Sequence, residues 1–332
     1  MLSVHLSLHR ASYSCKSSDL RDMLQLVLSR RDWRLRSLDL SSLNLLSLPP
    51  SLLTPVLCGL EEVNLQFARL SLAQLTGLAT GVTASDRLAL ARLDLSGVDL
   101  SGVGAELLCG AVSRLTQVNL TGTSLSQDSL VSLFTALHQA EELGLEYINL
   151  SYSRLSAMPP AVLSEVVNKL HRVNLHATHL TGAQTETLLS EMVEMEELDI
   201  GYNDLSSVPP GLLASSLCRV SQLNITGCCL STHQINGLFQ SIVSTDQNIR
   251  LRTLQISNNN LSSVSPDTLT KVAQKLDEVN FNQTCLSSEQ VLVLQQKVPA
   301  DQLKARGEDA NDCSLLRGVD NLLENHLAKY KL

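Results

Sequence analysis

The chain is short of aromatic side chains. One tryptophan, four phenylalanines and five tyrosines make up only 3% of its 332 residues, against 44% hydrophobic residues in all. A single large globular core normally leans on aromatic bulk, so the apolar material here must pack as many small aliphatic layers. Long apolar runs are also missing. No stretch approaches the ~20 residues of a membrane span, and the first ten residues, MLSVHLSLHR, are too short and too polar for a secretory leader. Charge of one sign is never concentrated. The net charge is −8, and the basic group Arg30, Arg31, Arg34 and Arg36 reads as a solvated helix end, not a nucleic-acid footprint. Eight cysteines are present with no C-x-x-C pair, which removes zinc and dithiol-redox motifs. Cys58, Cys109 and Cys218 share one slot at a helix end, and Cys228 stands in a strand-exit slot. Such cysteines read as small buried groups, and the reading places the chain in a reducing, cytoplasmic setting. Phosphate loops, H-E-x-x-H and G-x-S-x-G are absent. His171, His176 and His179 do not make a metal spacing. Nothing calls for a cofactor, a metal, a small-molecule substrate or catalysis.

What is present is a frame. Met195, Leu198, Ile200, Asn203 and Leu205 fall at slots 1, 4, 6, 9 and 11 of an eleven-residue stretch, which is the leucine-rich repeat pattern L-x-x-L-x-L-x-x-N/C-x-L. Slot 6 recurs at Leu40, Leu65, Leu95, Leu120, Leu150, Leu175, Ile200, Ile225, Ile256 and Phe281, a series of ten. A worn eleventh copy starts at the first residue, with Met1, Val4 and Leu6 in the inward slots. Spacings between successive slot 6 residues are 25, 30, 25, 30, 25, 25, 25, 31 and 25. Two kinds of repeat therefore alternate. Type A holds Leu40, Leu95, Leu150, Ile200 and Ile256, and type B holds the others.

The segments after each frame follow the same rhythm. Type A turns on proline, at Pro49-Pro50, Pro159-Pro160, Pro209-Pro210 and Pro266, and each proline suits the first turn of a short helix. The Leu95 repeat carries Gly102 and Gly104 instead. Type B turns on a capping box, at Ser71 with Gln74, Thr181 with Gln184, Ser231 with Gln234 and Ser287 with Gln290. Ser126 keeps the hydroxyl but has Ser129 in place of the glutamine. Helices with apolar residues at helical spacing follow, as in Leu130, Leu133, Phe134 and Leu137.

Each unit is thus a strand, a turn and a helix, and neither element can bury its apolar face alone. The expected fold is an α/β leucine-rich repeat solenoid, a horseshoe or arc with a parallel sheet on the concave face and helices on the convex face. The whole of 1–332 reads as one solenoid. Residues 1–34 supply the degenerate repeat and an amphipathic capping helix over Asp19–Arg30, with Trp33 as a lid. Residues 35–298 hold the ten repeats, and 299–332 form a C-terminal cap.

Slots 3, 5 and 7 face outward on the concave side. Slot 5 is polar throughout: Asp39, Asn64, Asp94, Asn119, Asn149, Asn174, Asp199, Asn224, Gln255 and Asn280. It is either a binding floor or a stabilising ladder in which adjacent amides bond to one another, and its uniformity favours the ladder. Slot 3 varies, and the middle of the chain collects the side chains that carry interface energy. The candidate partner-binding patch is Tyr147, Tyr152, Arg154, Arg172, His176, His179, Tyr202 and Asp204. Asn119, Asn149, Asn224, Asn260 and Asn282 open N-x-S/T sequons, read as by-products of the repeat.

The alternation, together with Leu205-Ser206-Ser207-Val208-Pro209-Pro210 and Leu60-Glu61-Glu62-Val63-Asn64-Leu65, resembles the ribonuclease-inhibitor type of leucine-rich repeat and the sensor arrays of NOD-like receptors. The resemblance covers about residues 35–298. It implies a non-enzymatic module that recognises a protein partner through the concave sheet, in the manner of an innate-immune sensor region. Two other functions fit the same fold: a GTPase-regulating protein similar to the Ran-activating ones, through Arg154 or Arg172, and a receptor ectodomain.

Overall fold

The computed structural model describes residues 4–8, 17–29, 35–86, 88–140, 143–244 and 249–305. Trp33 and the segment 306–332, where the lid and most of the C-terminal cap were expected, lie outside these. The chain divides into two compact units, Met1–Ser153 and Arg154–Leu332.

In the first unit, strands β1 (Val4–Ser7), β2 (Leu35–Asp39), β3 (Glu62–Asn64), β4 (Arg92–Asp94), β5 (Gln117–Asn119) and β6 (Tyr147–Asn149) pair in parallel and in chain order. Helices α1 (Ser17–Ser29), α2 (Pro50–Cys58), α3 (Leu72–Ala84), α4 (Ala105–Val112) and α5 (Gln127–Gln139) connect them. In the second, α6 (Pro160–Val167), β7 (Arg172–Asn174), α7 (Gly182–Glu191), β8 (Met195–Asp199), α8 (Pro210–Leu217), β9 (Val220–Asn224), α9 (Thr232–Ser244), β10 (Thr253–Gln255), α10 (Pro266–Lys275), β11 (Glu278–Asn280), α11 (Ser288–Lys297) and β12 (Leu303–Lys304) repeat the plan. This is the α/β leucine-rich repeat architecture, with parallel strands on one side of each unit and helices on the other.

Register follows the frame. Slots 3, 4 and 5 align from strand to strand, as in Ser37, Leu38 and Asp39 opposite Glu62, Val63 and Asn64. Slots 1, 4, 6 and 11 make the core: Met195, Leu198, Ile200 and Leu205 are at most 1% exposed. Burial of each such side chain is worth about 1.5–3 kcal/mol. Slot 9 also points inward; it is apolar at Leu43, Ala68 and Val98 and from Thr123 onward takes polar or thiol groups, several of which satisfy the backbone. Asn203 Nδ2 donates to Leu175 O and Ile200 O at 2.8 and 3.0 Å, and its Oδ1 accepts from Leu180 N–H. Cys228 fills the same slot fully buried, with its Sγ donating to Ile200 O at 3.3 Å.

Two strands depart from expectation. In β1, Leu6 lies opposite Leu38 and Ser7 opposite Asp39, and Leu8 N–H donates to Asp39 O. Leu6 therefore takes slot 4 and Leu8 slot 6, two residues away from the frame that began at Met1. Both alternations are apolar on the same parity, so the sequence did not distinguish them. β12 arises in a polar stretch with one inward residue, Leu303, because pairing with β11 needs only backbone groups; Phe281 N–H donates to Lys304 O at 2.7 Å.

The A–B alternation has a physical cause. In type B the glutamine of the capping box is buried, and it does two jobs. Gln234 Oε1 accepts from Ser231 N–H at 2.8 Å, closing the box. Its Nε2 donates to Leu205 O and Val208 O at 2.7 Å each, the two carbonyls of the preceding proline loop. Gln74 ties Leu45 and Leu48, and Gln184 ties Leu155 and Met158, at the same distances. Where type A lacks prolines, around Gly102 and Gly104, type B lacks the glutamine and has Ser129. The clamp and the loop it holds are present or absent together.

Candidate functional site

The sheet face of each unit is built from the turn that ends every strand. At slot 5, an Asp or Asn Oδ1 accepts the backbone N–H two residues on, from Ser41, Gln66, Ser96, Thr121, Ser151, His176, Gly201, Thr226 and Asn282, at 2.8–3.1 Å. These are Asx turns. Gln255, one methylene longer, stands in the ten-residue series without such a bond among those described. The ladder expected between neighbouring strands exists as well, in A–B pairs: Asn119 Nδ2 donates to Asp94 Oδ2 at 2.9 Å and Asn224 Nδ2 to Asp199 Oδ2 at 2.8 Å. Slot 5 is therefore spent on holding the turn.

Slot 8 is spent too. Ser42, Phe67, Gly97, Gly122, Tyr152, Ala177, Tyr202, Gly227, Asn258 and Gln283 all have φ between 53° and 69°. The left-handed turn is fixed by a bond to the next repeat, as in Tyr202 N–H to Thr226 O at 2.7 Å. That bond imposes the conformation even on side chains that resist it. Phe67 and Tyr202 each lie over the slot 8 glycine of the next repeat. A Cβ on Gly97 would sit 2.2 Å from the Phe67 ring, and one on Gly227 would sit 2.8 Å from the Tyr202 ring.

The second unit brings some of the candidate patch together. His176, at slot 7 of β7's repeat, has its Nδ1 3.1 Å from Asp199 Oδ1, and its ring is 5.0 Å from that of Tyr202. Tyr202 accepts from Asn258 Nδ2 at 2.9 Å, and burial pushes its phenol pKa up. Arg172, at slot 3, is half-buried with its Nε 3.9 Å from Glu196. Beside it burial raises the Glu197 carboxyl, with Arg172 opposing and Asp199 and Glu196 reinforcing the rise. Arg154, His179 and Asp204 are exposed at slot 10, in the turn past the strand, and Asp204 Oδ1 accepts from Ser206 N–H at 2.9 Å. Asp204 is thus an Asx cap, as Asn44, Asp99 and Asn260 are in their own type A repeats.

The first unit holds the other two candidates. Tyr152 is half-buried at slot 8. Tyr147, at slot 3 of β6, lines a groove of about 210 Å³ on the sheet face with Glu62, Asn64, Arg92, Asp94, Gln117 and Asn119. Arg92 and Glu62 bridge across it at 2.9 Å. Glu62, Arg92 and Gln117 belong to the variable slot 3 row but not to the candidate patch; the signal for them is their position opposite one another in register.

No trio of His, Cys, Asp or Glu could hold a metal among the described residues. Burial raises the thiols of Cys58, Cys109 and Cys218, that of Cys109 to about 11, so they stay protonated at neutral pH. Among the described residues no helix is long and apolar enough to cross a membrane.

The leucine-rich repeat family model matches residues 250–272, the Ile256 repeat. The chain is built from leucine-rich repeats. Two solved structures are similar to it: an internalin (InlF) from Listeria monocytogenes, with 16% identity over 89% of this chain and 71% of that one and a TM-score of 0.49, and the leucine-rich repeat protein LegL7 from Legionella pneumophila, with 18% identity over 86% and 96% and a TM-score of 0.47. No curated protein matches the sequence.

Proposed function

We propose that this leucine-rich repeat chain is a non-enzymatic module that binds a protein partner on its sheet face, through slot 3. One observation carries the reading. Slots 4, 6, 9 and 11 are committed to the core, slot 5 to the Asx turn and slot 8 to the left-handed turn. Slot 7 is buried in every type A repeat, whereas slot 3 carries none of these duties, is never buried and varies: Ser37, Glu62, Arg92, Gln117 and Tyr147 in the first unit, and Arg172, Glu197, Gln222, Thr253 and Glu278 in the second. A rigid scaffold with one variable, solvent-facing row supplies specificity at low ordering cost. Tyr147 and Arg172 are the side chains of that row best suited to anchor an interface. The finer form of this reading is an innate-immune sensor region of the NOD-like receptor kind, supported by the A–B alternation. Substituting Tyr147 and Arg172 by alanine while monitoring partner binding tests the slot 3 assignment; binding that survives both substitutions overturns it.

One observation favours a second setting for the same module. Cys285 is disulfide-bonded. Structural disulfides persist in oxidising compartments, so this cysteine supports the receptor-ectodomain reading.

A further inference from the structure

We propose that Asn260 is the acceptor of an N-linked glycan, and that among the five sequons of this chain it is the one the folded protein can carry. Three of the others lie at slot 5. Asn119 and Asn224 are half-buried, and their Nδ2 atoms, where a sugar would attach, donate to Asp94 and Asp199 at 2.9 and 2.8 Å. Asn149 is half-buried in the same row, between strands whose neighbours stand about 4.8 Å apart. A glycan at any of the three would have to stand in the ladder that closes the strand exits. Asn282, the fourth, is half-buried with its Oδ1 enclosed, and the hydroxyl of its sequon residue Thr284 is fully buried and donates to Phe281 O.

Asn260 differs in place and in exposure, while it shares with Asn119 and Asn149 the turn closed on the sequon's own hydroxyl. It sits at slot 10, past the strand, and is exposed. Its Oδ1 accepts both from Ser262 N–H at 3.1 Å and from Ser262 Oγ–H at 2.7 Å. The amide is thus held by its oxygen, in an Asx turn closed on the sequon's own hydroxyl, and its Nδ2 faces away from the bonded side. Slot 10 lies outside the slot 3 row, so a glycan there leaves the proposed binding surface open. The disulfide at Cys285 is an independent sign of the compartment in which such transfer occurs.

The reaction needs a lipid-linked oligosaccharyl diphosphate and its transferase. Nδ2 forms a bond to the anomeric carbon, the bond from that carbon to the diphosphate oxygen breaks, and one Nδ2 proton leaves with the lipid diphosphate. The inference rests on the oxidising-compartment reading, and the experiment separates the two. The full chain is expressed behind a cleavable leader in eukaryotic cells, and the folded monomer is mapped by peptide mass spectrometry before and after glycosidase treatment. The expected result is a glycan on the Asn260 peptide, its loss in Asn260→Gln and in Ser262→Ala, and no glycan on the Asn119, Asn149, Asn224 or Asn282 peptides of the folded fraction. An unmodified Asn260 peptide, or equal occupancy at a slot 5 sequon in folded protein, overturns the assignment. Thiol labelling of the buried Cys285 after denaturation without reductant reports the compartment reading on its own: protection supports it and full labelling refutes it.

Discussion

Replacing Gln234 by alanine tests the clamp that makes this chain a series of pairs. The side chain is 1% exposed and holds four partners: Ser231 N–H and Oγ–H on its oxygen, and Leu205 O and Val208 O on its nitrogen. Truncation leaves Leu205 O with the Val208 N–H it already accepts at 3.0 Å. Val208 O and Ser231 N–H lose the partners just named. Val208 is buried, so its orphaned carbonyl costs about 1–3 kcal/mol, whereas Ser231 is exposed and its N–H can turn to water; with the vacated volume, a loss of about 2–4 kcal/mol is expected. Urea unfolding followed by far-UV circular dichroism measures it. Gln234→Glu supplies the control. It keeps an oxygen for the capping box but turns the second one on two carbonyls, so the carboxyl must hold its proton to fit. Its folded pKa is then raised, the folded state binds more protons, and stability falls as pH rises above the ordinary carboxylate range. A loss below about 1 kcal/mol for Gln234→Ala, with Gln234→Glu insensitive to pH, would refute the clamp.

Three further outcomes follow from the geometry. Gly227→Ala places a Cβ 2.8 Å from the Tyr202 ring at a φ of +63°, and should destabilise by about 1–3 kcal/mol in thermal melts. A double-mutant cycle with Tyr202→Ala should show coupling, and strict additivity would mean the ring does not rest there. Glu197→Gln should raise the melting temperature at pH 7 by an amount worth less than about 1 kcal/mol, because the half-exposed carboxyl is strained only when ionised. Its raised folded pKa means that this advantage belongs to neutral pH and fades as pH falls below the ordinary carboxylate value. Asn203→Ala should cost about 1–3 kcal/mol in urea unfolding by orphaning Leu180 N–H in the core, while Leu175 O keeps the Thr178 hydroxyl; a loss near zero would place water in the amide's role.

Much of the fold could be read from side chains that act locally. The capping boxes at Ser71, Thr181, Ser231 and Ser287, the prolines at helix starts and the apolar frame each determine their own segment, and each stands where it was expected. What could not be read depends on neighbouring repeats. Slot 8 holds Ser, Phe, Gly, Tyr, Ala, Asn and Gln, a set with no common propensity, and takes one conformation because a backbone carbonyl of the next repeat, such as Thr226 O for Tyr202 and Ser96 O for Phe67, sets it. For the same reason the half-buried placing of Tyr202, a member of the candidate patch, between Gly227 and Asn258 was not legible. Asp204 is a turn cap. The second function of Gln234 was hidden because its acceptors are carbonyls, which every residue has. The disulfide at Cys285 could not be read either, since spacing alone names no partner.

The central claim is that slot 3 recognises and the other slots support. It is tested most directly by one comparison of partner binding. Full-length chains carrying Tyr147→Ala and Arg172→Ala on the sheet face, or Glu186→Ala and Lys271→Ala on helices α7 and α10, are matched for stability and crosslinked in cell extract, and the products are identified by mass spectrometry against wild type. A protein crosslinked to wild type and to the helix variant, and lost from the slot 3 variant by tenfold or more (about 1.4 kcal/mol), is the predicted result. Retention by the slot 3 variant with loss from the helix variant would contradict the account.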